Sequence, residues 1–212
     1  MDLRDEHRSR LYALSNDRRA CFAAACATRM VNSYKLVSSL ESIENNLSQL
    51  QAALVFAWDA IAKKDFDKTE VQRLLDQTKK IMANEKASPF RSRYVYYKAD
   101  AAASVLYTLK LLPGITGYST RYEGSSNYSS YQCAKIAIDT ALFYCKRKSK
   151  TNLQGSDFVT EMFKMSPLKH EYARQIRDLS ELATGYSPKL VLAIKTRAEK
   201  EATLFSGDIP SN

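Results

Sequence analysis

Two ionisable residues stand inside otherwise apolar stretches: Arg29 follows Ala23-Ala24-Ala25-Cys26-Ala27-Thr28, and Asp100 lies within Ala99-Asp100-Ala101-Ala102-Ala103. Burying either charge alone costs several kcal/mol, so the expectation is that they meet as an interior pair, with Tyr34 or Tyr96 adding a hydrogen bond. Such pairs more often fix helix register than line an anion-binding or catalytic pocket. The remaining chemistry-bearing types are poorly placed. His7 and His170 lack the carboxylate three residues away that a di-iron bundle needs, and Asp157 with Glu161 reads as a solvated helical face. Cys21, Cys26, Cys133 and Cys145 show no Cys-x-x-Cys spacing and read as buried thiols. There is no nucleophile elbow and no glycine-rich phosphate loop in a chain with six glycines. No catalytic residue, metal or cofactor is assigned.

The segment from Gly114 to Tyr131 is rich in Tyr, Ser, Gly and Asn and reads as a long connection between helices. That composition is typical of adaptable binding loops, with tyrosines supplying rigid amphipathic contact area. Tyr118, Arg121, Tyr122 and Tyr128 are its candidate partner-binding residues. The formal net charge is +9, and the basic excess is spread along the chain, with its densest run at Lys146, Arg147, Lys148 and Lys150. Such a surface suits an acidic protein partner and, with Lys63, Lys64, Lys79 and Lys80, admits a nucleic-acid reading.

Apolar residues recur at helical spacing along the elements that must position these groups. Leu47, Leu50, Leu54, Ala57, Trp58 and Ile61 form one stripe; Val95, Ala99, Ala102, Leu106 and Leu109 another. Leu168, Tyr172, Ile176, Leu179 and Ala183 form a third, and Leu190, Ile194, Ala198, Ala202 and Phe205 a fourth. Ser166-Pro167 and Ser187-Pro188 read as helix starts, Asp67 with Glu70 as a capping box, and Gly185 and Gly207 as stops. Helices are predicted over 16–31, 34–43, 46–63, 68–86, 92–112, 129–148, 157–165, 167–184 and 188–206. Helix 129–148, apolar nearly all round, is expected at the centre, with Ala20 to Ala27 packed against it.

The fold class is therefore all-α, one domain over 1–212 built as a bundle of about eight or nine mostly antiparallel helices, with 1–14 and 208–212 as flexible ends. The longest apolar runs, Ala20–Ala27 and Ala52–Trp58, are too short to span a bilayer. The charged first twenty residues do not resemble a signal peptide, which makes the expected location cytoplasmic.

Three segments carry a resemblance: Phe22-Ala23-Ala24-Ala25-Cys26-Ala27-Thr28-Arg29-Met30-Val31-Asn32-Ser33-Tyr34, then Trp58-Asp59, then Val95-Tyr96-Tyr97-Lys98-Ala99-Asp100-Ala101. In this order they resemble the motifs of the YjaG-like family, domain of unknown function 416, from Phe22 to about residue 148. The resemblance implies an all-helical fold and brings no activity. This chain has Asn32 and Tyr97 where the family pattern has proline, so a break in the first long helix before Tyr34 rests on asparagine alone.

The leading functional expectation is a non-enzymatic helical module that binds a protein partner, of which an immunity-type, toxin-neutralising protein is one version. Nucleic-acid association and an enzyme built on an Arg29/Asp100 pocket are the alternatives.

Overall fold

The computed structural model describes residues 3–38, 46–87, 95–116, 123–148, 161–162 and 164–203. Among them are eight α-helices and no strand: α1 (Leu3–Tyr12), α2 (Asn16–Ser38), α3 (Leu47–Lys63), α4 (Lys68–Ala87), α5 (Val95–Leu109), α6 (Glu123–Lys148), α7 (Ser166–Thr184) and α8 (Pro188–Lys200). A short 3-10 turn, Leu112–Gly114, follows α5. No described helix is long and apolar enough to cross a membrane.

The centre of the bundle is α2, not the helix expected there. Every residue from Ala20 to Met30 is sealed from solvent, and α3, α5, α6, α7 and α8 all pack on it. Side chains from Ala20 to Ala27 are mostly alanine and cysteine, and their small size lets neighbours approach from every direction. Helix α6 does pack on α2, but it lies at the side: Ile136 and Leu142 are half-buried, Phe143 is exposed, and a Lys135–Asp139 ion pair interrupts its apolar girth. Helix α4 packs chiefly on α5.

Buried hydroxyl groups inside α2 bond to their own helix. Thr28 Oγ1 donates to the Ala24 carbonyl at 2.8 Å and accepts from Trp58 Nε1 at 3.0 Å, which ties α3 to α2. Ser33 donates to the Arg29 carbonyl at 2.9 Å, the same back-bond to the preceding turn that Thr78, Ser104, Thr108 and Ser130 make in their own helices.

The predicted break before Tyr34 is absent, because α2 runs unbroken to Ser38. Asn32 does not stop the helix; its amide instead donates to the carbonyls of Ala198 (3.1 Å), Glu199 (3.2 Å) and Glu201 (2.6 Å). One side chain thus adds a donor to carbonyls at and just past the end of α8, where Ala198 also accepts from the Glu201 amide. Helix α8 ends at Lys200, earlier than predicted; Gly207 lies outside the described residues.

Other ends differ in instructive ways. The expected flexible start is helix α1, with His7 buried 4.7 Å from the Tyr172 ring; residues 208–212 lie outside the described residues. Ser187 caps α8 as predicted, accepting from Leu190 N at 3.2 Å. Met165, not Ser166, caps α7, and the Ser166 hydroxyl meets His170 Nδ1 at 3.2 Å. Asp67 caps α4 through Thr69 N at 2.8 Å, while Glu70 turns to Arg73 rather than closing a box. Most of the predicted helix 157–165 lies outside the described residues.

Asn32→Ala is expected to lose about 1 kcal/mol, since the Glu199 and Glu201 carbonyls lose the amide that serves them. Urea denaturation should show the lower midpoint at unchanged slope, and hydrogen exchange should speed up in the last turn of α8.

Candidate functional site

Arg29 projects from the middle of α2 and is completely buried, so its charge must be met on site. The carboxylates that meet it come from α7. Glu171 receives Arg29 Nε at 3.2 Å, and Asp178 receives Nη1 at 2.9 Å. These two residues stand seven apart, two turns along one face, with Gln175 between them donating to Glu171 at 2.9 Å and to the Ala134 carbonyl of α6 at 3.1 Å. Burial works against the guanidinium's charge, but Glu171 and Asp178 outweigh it and hold the group well above its ordinary range.

The pairing of Arg29 with Asp100 is thereby corrected. Asp100 on α5 accepts from Thr140 Oγ1 of α6 at 3.1 Å, and the ion pairs of Arg29 run to Glu171, Asp178 and, at 3.8 Å, Glu201. The predicted stripe on α7 is corrected with it. The buried face carries Leu168, Glu171, Gln175, Asp178, Leu179 and Leu182, while Ala183 is exposed. Apolar periodicity missed these acids because they read as solvent-facing; the one available signal was a lone arginine in α2 that required carboxylates elsewhere. Tyr34 instead accepts from the Asn46 amide at 3.2 Å, and the side chain of Tyr96 lies outside the described residues.

Around this core lies a shell of charge. Arg197 donates to Asp178 at 3.1 Å and to Glu181 at 2.6 Å, and Arg177 donates to Glu201 at 2.9 Å. The guanidinium and carboxylate groups are interlocked across α2, α7, α8 and the residues just after α8. Such a network suits holding helices in register better than moving protons.

Metal and thiol chemistry find no support from geometry. Among the described residues no group of three or more His, Cys, Asp or Glu is arranged to hold a metal ion. All four cysteines are buried. Burial pushes the Cys133 thiol up to about 12, and it drives those of Cys21 and Cys26 up as well, against the charge of Arg29 beside Cys26.

The later part of the expected binding loop is helix. Residues 123–130 form the first two turns of α6; Ser126, Ser129 and Ser130 are buried there, and Ser126 donates to Asn16 Oδ1 at 2.9 Å. Small hydroxyl residues that resemble loop chemistry in sequence here let α6 approach the start of α2. Tyr118, Arg121 and Tyr122 lie outside the described residues. Tyr128 is described, and it is 54% exposed.

Tyr128 belongs to a surface strip. Its ring stands edge-on to Tyr107 of α5, 6.0 Å between centroids, and Lys110 Nζ lies 5.1 Å from the Tyr107 ring. One turn along α6, Tyr131 lies under the Arg8 guanidinium at 5.7 Å, and Arg8 also donates to the Tyr12 hydroxyl at 3.0 Å. Two tyrosine pairs therefore lie one turn apart along α6: Tyr107 with Tyr128, beside Lys110, and Tyr12 with Tyr131, bridged by Arg8. Burial and then the Tyr128 hydroxyl push the Tyr107 phenol up, keeping it neutral. Sequence reasoning found Tyr128 but missed Arg8 and Tyr12, because it assigned α1 to a flexible end. Reading 123–148 as one helix would have put Tyr128 and Tyr131 on a shared face.

Three of the lysines singled out in the sequence stand beside acids. Lys63 pairs with Asp59 (3.5 Å), Lys64 with Asp17 (2.9 Å) and Lys79 with Asp76 (3.0 Å). The side chains of residues 147–150 lie outside the described residues.

Compared with known proteins, the chain matches the model of a family described as "Protein of unknown function (DUF416)" over residues 6–203. Among solved structures it is similar to the crystal structure of a DUF416 family protein from Shewanella baltica OS155, with a TM-score of 0.73 and 20% identity over 91% of this chain and 93% of that one. A likeness at that identity shows the fold. A search of curated proteins finds no match to the chain.

Arg29→Met should cost about 3–5 kcal/mol in urea denaturation, because it strands two buried carboxylates. Arg29→Lys should recover only part of that loss, since an ammonium cannot fork between Glu171 and Asp178. The native chain should leave a disulfide-exchanging thiol reagent at pH 8 unreacted, and all four thiols should appear at once in denaturant.

Proposed function

The chain belongs to the DUF416 family of proteins of unknown function, and on that premise we propose that it is a non-enzymatic helical module that binds an acidic protein partner across the tyrosine strip. The observation that carries this reading is Tyr128, more than half exposed yet braced by Tyr107, with Lys110 beside Tyr107 and Arg8 beside Tyr131 one turn along α6. Tyrosine and arginine are the side chains that dominate binding energy at protein interfaces, because they bring large contact area with few torsions to freeze. Cations at the ends favour carboxylate-bearing partners by steering and by pairing at the rim. The rigid helices beneath present the strip without loop ordering, which lowers the entropic cost of association.

The enzyme alternative loses its basis, since Arg29 turns inward to Glu171 and Asp178 rather than toward Asp100. The nucleic-acid alternative is weakened by the acids that neutralise Lys63, Lys64 and Lys79. An immunity-type protein fits the same reading, because neutralising a toxin by covering an acidic surface needs contact area and charge but no reactive group.

A benzophenone amino acid at position 128 should capture an acidic protein in cells, and Arg8→Glu with Lys110→Glu should reduce that capture by about tenfold. Capture at 128 that ignores the charge reversal, or that is matched by the same probe at exposed Val55 of α3, would count against the strip. Retention on heparin that collapses steeply with salt would move the reading to nucleic acid.

A further inference from the structure

The three residues after α8 lie across the charged cluster like a strap. The Thr203 amide donates to the Arg29 carbonyl at 3.3 Å, and the Thr203 hydroxyl to Glu171 Oε2 at 3.3 Å. Arg174 donates to the Ala202 carbonyl at 2.7 Å. The Glu201 carboxylate sits among three guanidinium groups: Arg177 Nη2 at 2.9 Å, Arg174 Nε at 3.7 Å and Arg29 Nη1 at 3.8 Å.

Two observations set this contact apart from an ordinary structural ion pair. The first is charge. Among the described residues, Arg29, Arg174, Arg177 and Arg197 face three carboxylates held on α7 itself, Glu171, Asp178 and Glu181, and a fourth from the strap. The second is fit. Glu201 Oε2 is buried and accepts no hydrogen bond, and Arg177 Nε is buried and donates none. A guanidinium offers Nε and Nη side by side to a two-oxygen ligand, and Glu201 engages only one edge atom of Arg177. Burial lowers the hold of Arg174 on its proton, and the nearby charges of Glu171 and Glu201 act in the opposite direction.

We propose that the Arg174/Arg177 rim of α7 is a binding site for a small oxyanion, a phosphate monoester or a carboxylate, and that Glu201 occupies it as a built-in ligand until the strap lifts. The incoming anion takes both edge atoms of Arg177, replaces the charge that Glu201 supplies, and frees residues 201–203 from α2 and α7. Because Glu201 is tethered, it competes at high effective concentration, so the unmodified chain binds the anion weakly. This site is separate from the tyrosine strip and does not rest on it.

The test uses the full chain and inorganic phosphate, with sodium chloride at matched ionic strength as control and acetate as a second arm that separates carboxylate from phosphate preference. Glu201→Gln removes the competitor's charge while keeping its shape, and calorimetry should show phosphate or acetate binding about tenfold tighter than to the unmodified chain. Adding Arg177→Gln should abolish that gain. In the unmodified chain the better of the two anions should accelerate hydrogen exchange of the 201–203 amides. No gain on Glu201→Gln, or a gain that survives Arg177→Gln, overturns the assignment. Should Glu201→Gln fail to fold, the exchange measurement decides: strap amides indifferent to both anions overturn the proposal.

Discussion

The requirement that Arg29 be neutralised inside α2 governs how the second half of the chain is arranged. A guanidinium sealed from water needs carboxylates at hydrogen-bonding distance, and α7 supplies Glu171 and Asp178 two turns apart on one face. Once α7 is fixed by that pairing, its rotation about its own axis is fixed as well, and Leu168, Leu179 and Leu182 face inward beside the acids. Helix α8 is then held from two directions, by Arg197 reaching Asp178 and by Asn32 serving its terminal carbonyls. Charge here does what apolar contact alone does poorly: it selects one register among several of similar hydrophobic burial.

The same chain separates holding from contacting. Interior polarity, in hydroxyls bonded to their own helix and in ions bonded across helices, is consumed by the scaffold. Surface aromatics gather where α1, α5 and α6 meet, and there a braced tyrosine stands out toward solvent. A family defined by its scaffold alone is compatible with members that differ in what they touch, because exposed residues can change without disturbing Arg29 and its partners.

Much of the scaffold was legible in the sequence. Periodic stripes located α3, α5, α7 and α8, and Asp67 marked the start of α4, because those helices are amphipathic or carry recognisable end signals. Legibility failed where residue type and environment part company. Asn32 reads as a breaker but serves carbonyls at the end of a distant helix; Ser126 reads as loop but packs in a helix; Glu171 and Asp178 stand off the predicted apolar stripe yet are the most protected acids of α7. Each error has one origin: a polar residue's partner, when remote in sequence, leaves no local periodicity. Arg29 was recognised as needing a counterion, and the wrong one was chosen because Asp100 was the only acid that looked buried. For the surface, Tyr128 was found by composition, whereas Arg8 and Tyr12 could be found only once α1 was known to be helical.

The placement of α2 has a consequence for how the molecule is made. During synthesis the acids that neutralise its arginine and the amphipathic helices that cover its flank are translated some 140 residues after it. Until they emerge, the nascent chain carries an unsatisfied cation on an otherwise greasy rod. Contacts of such long sequence separation slow the search for the native state. The hub that makes the finished bundle coherent is thus the part most in need of shelter before the final helices arrive.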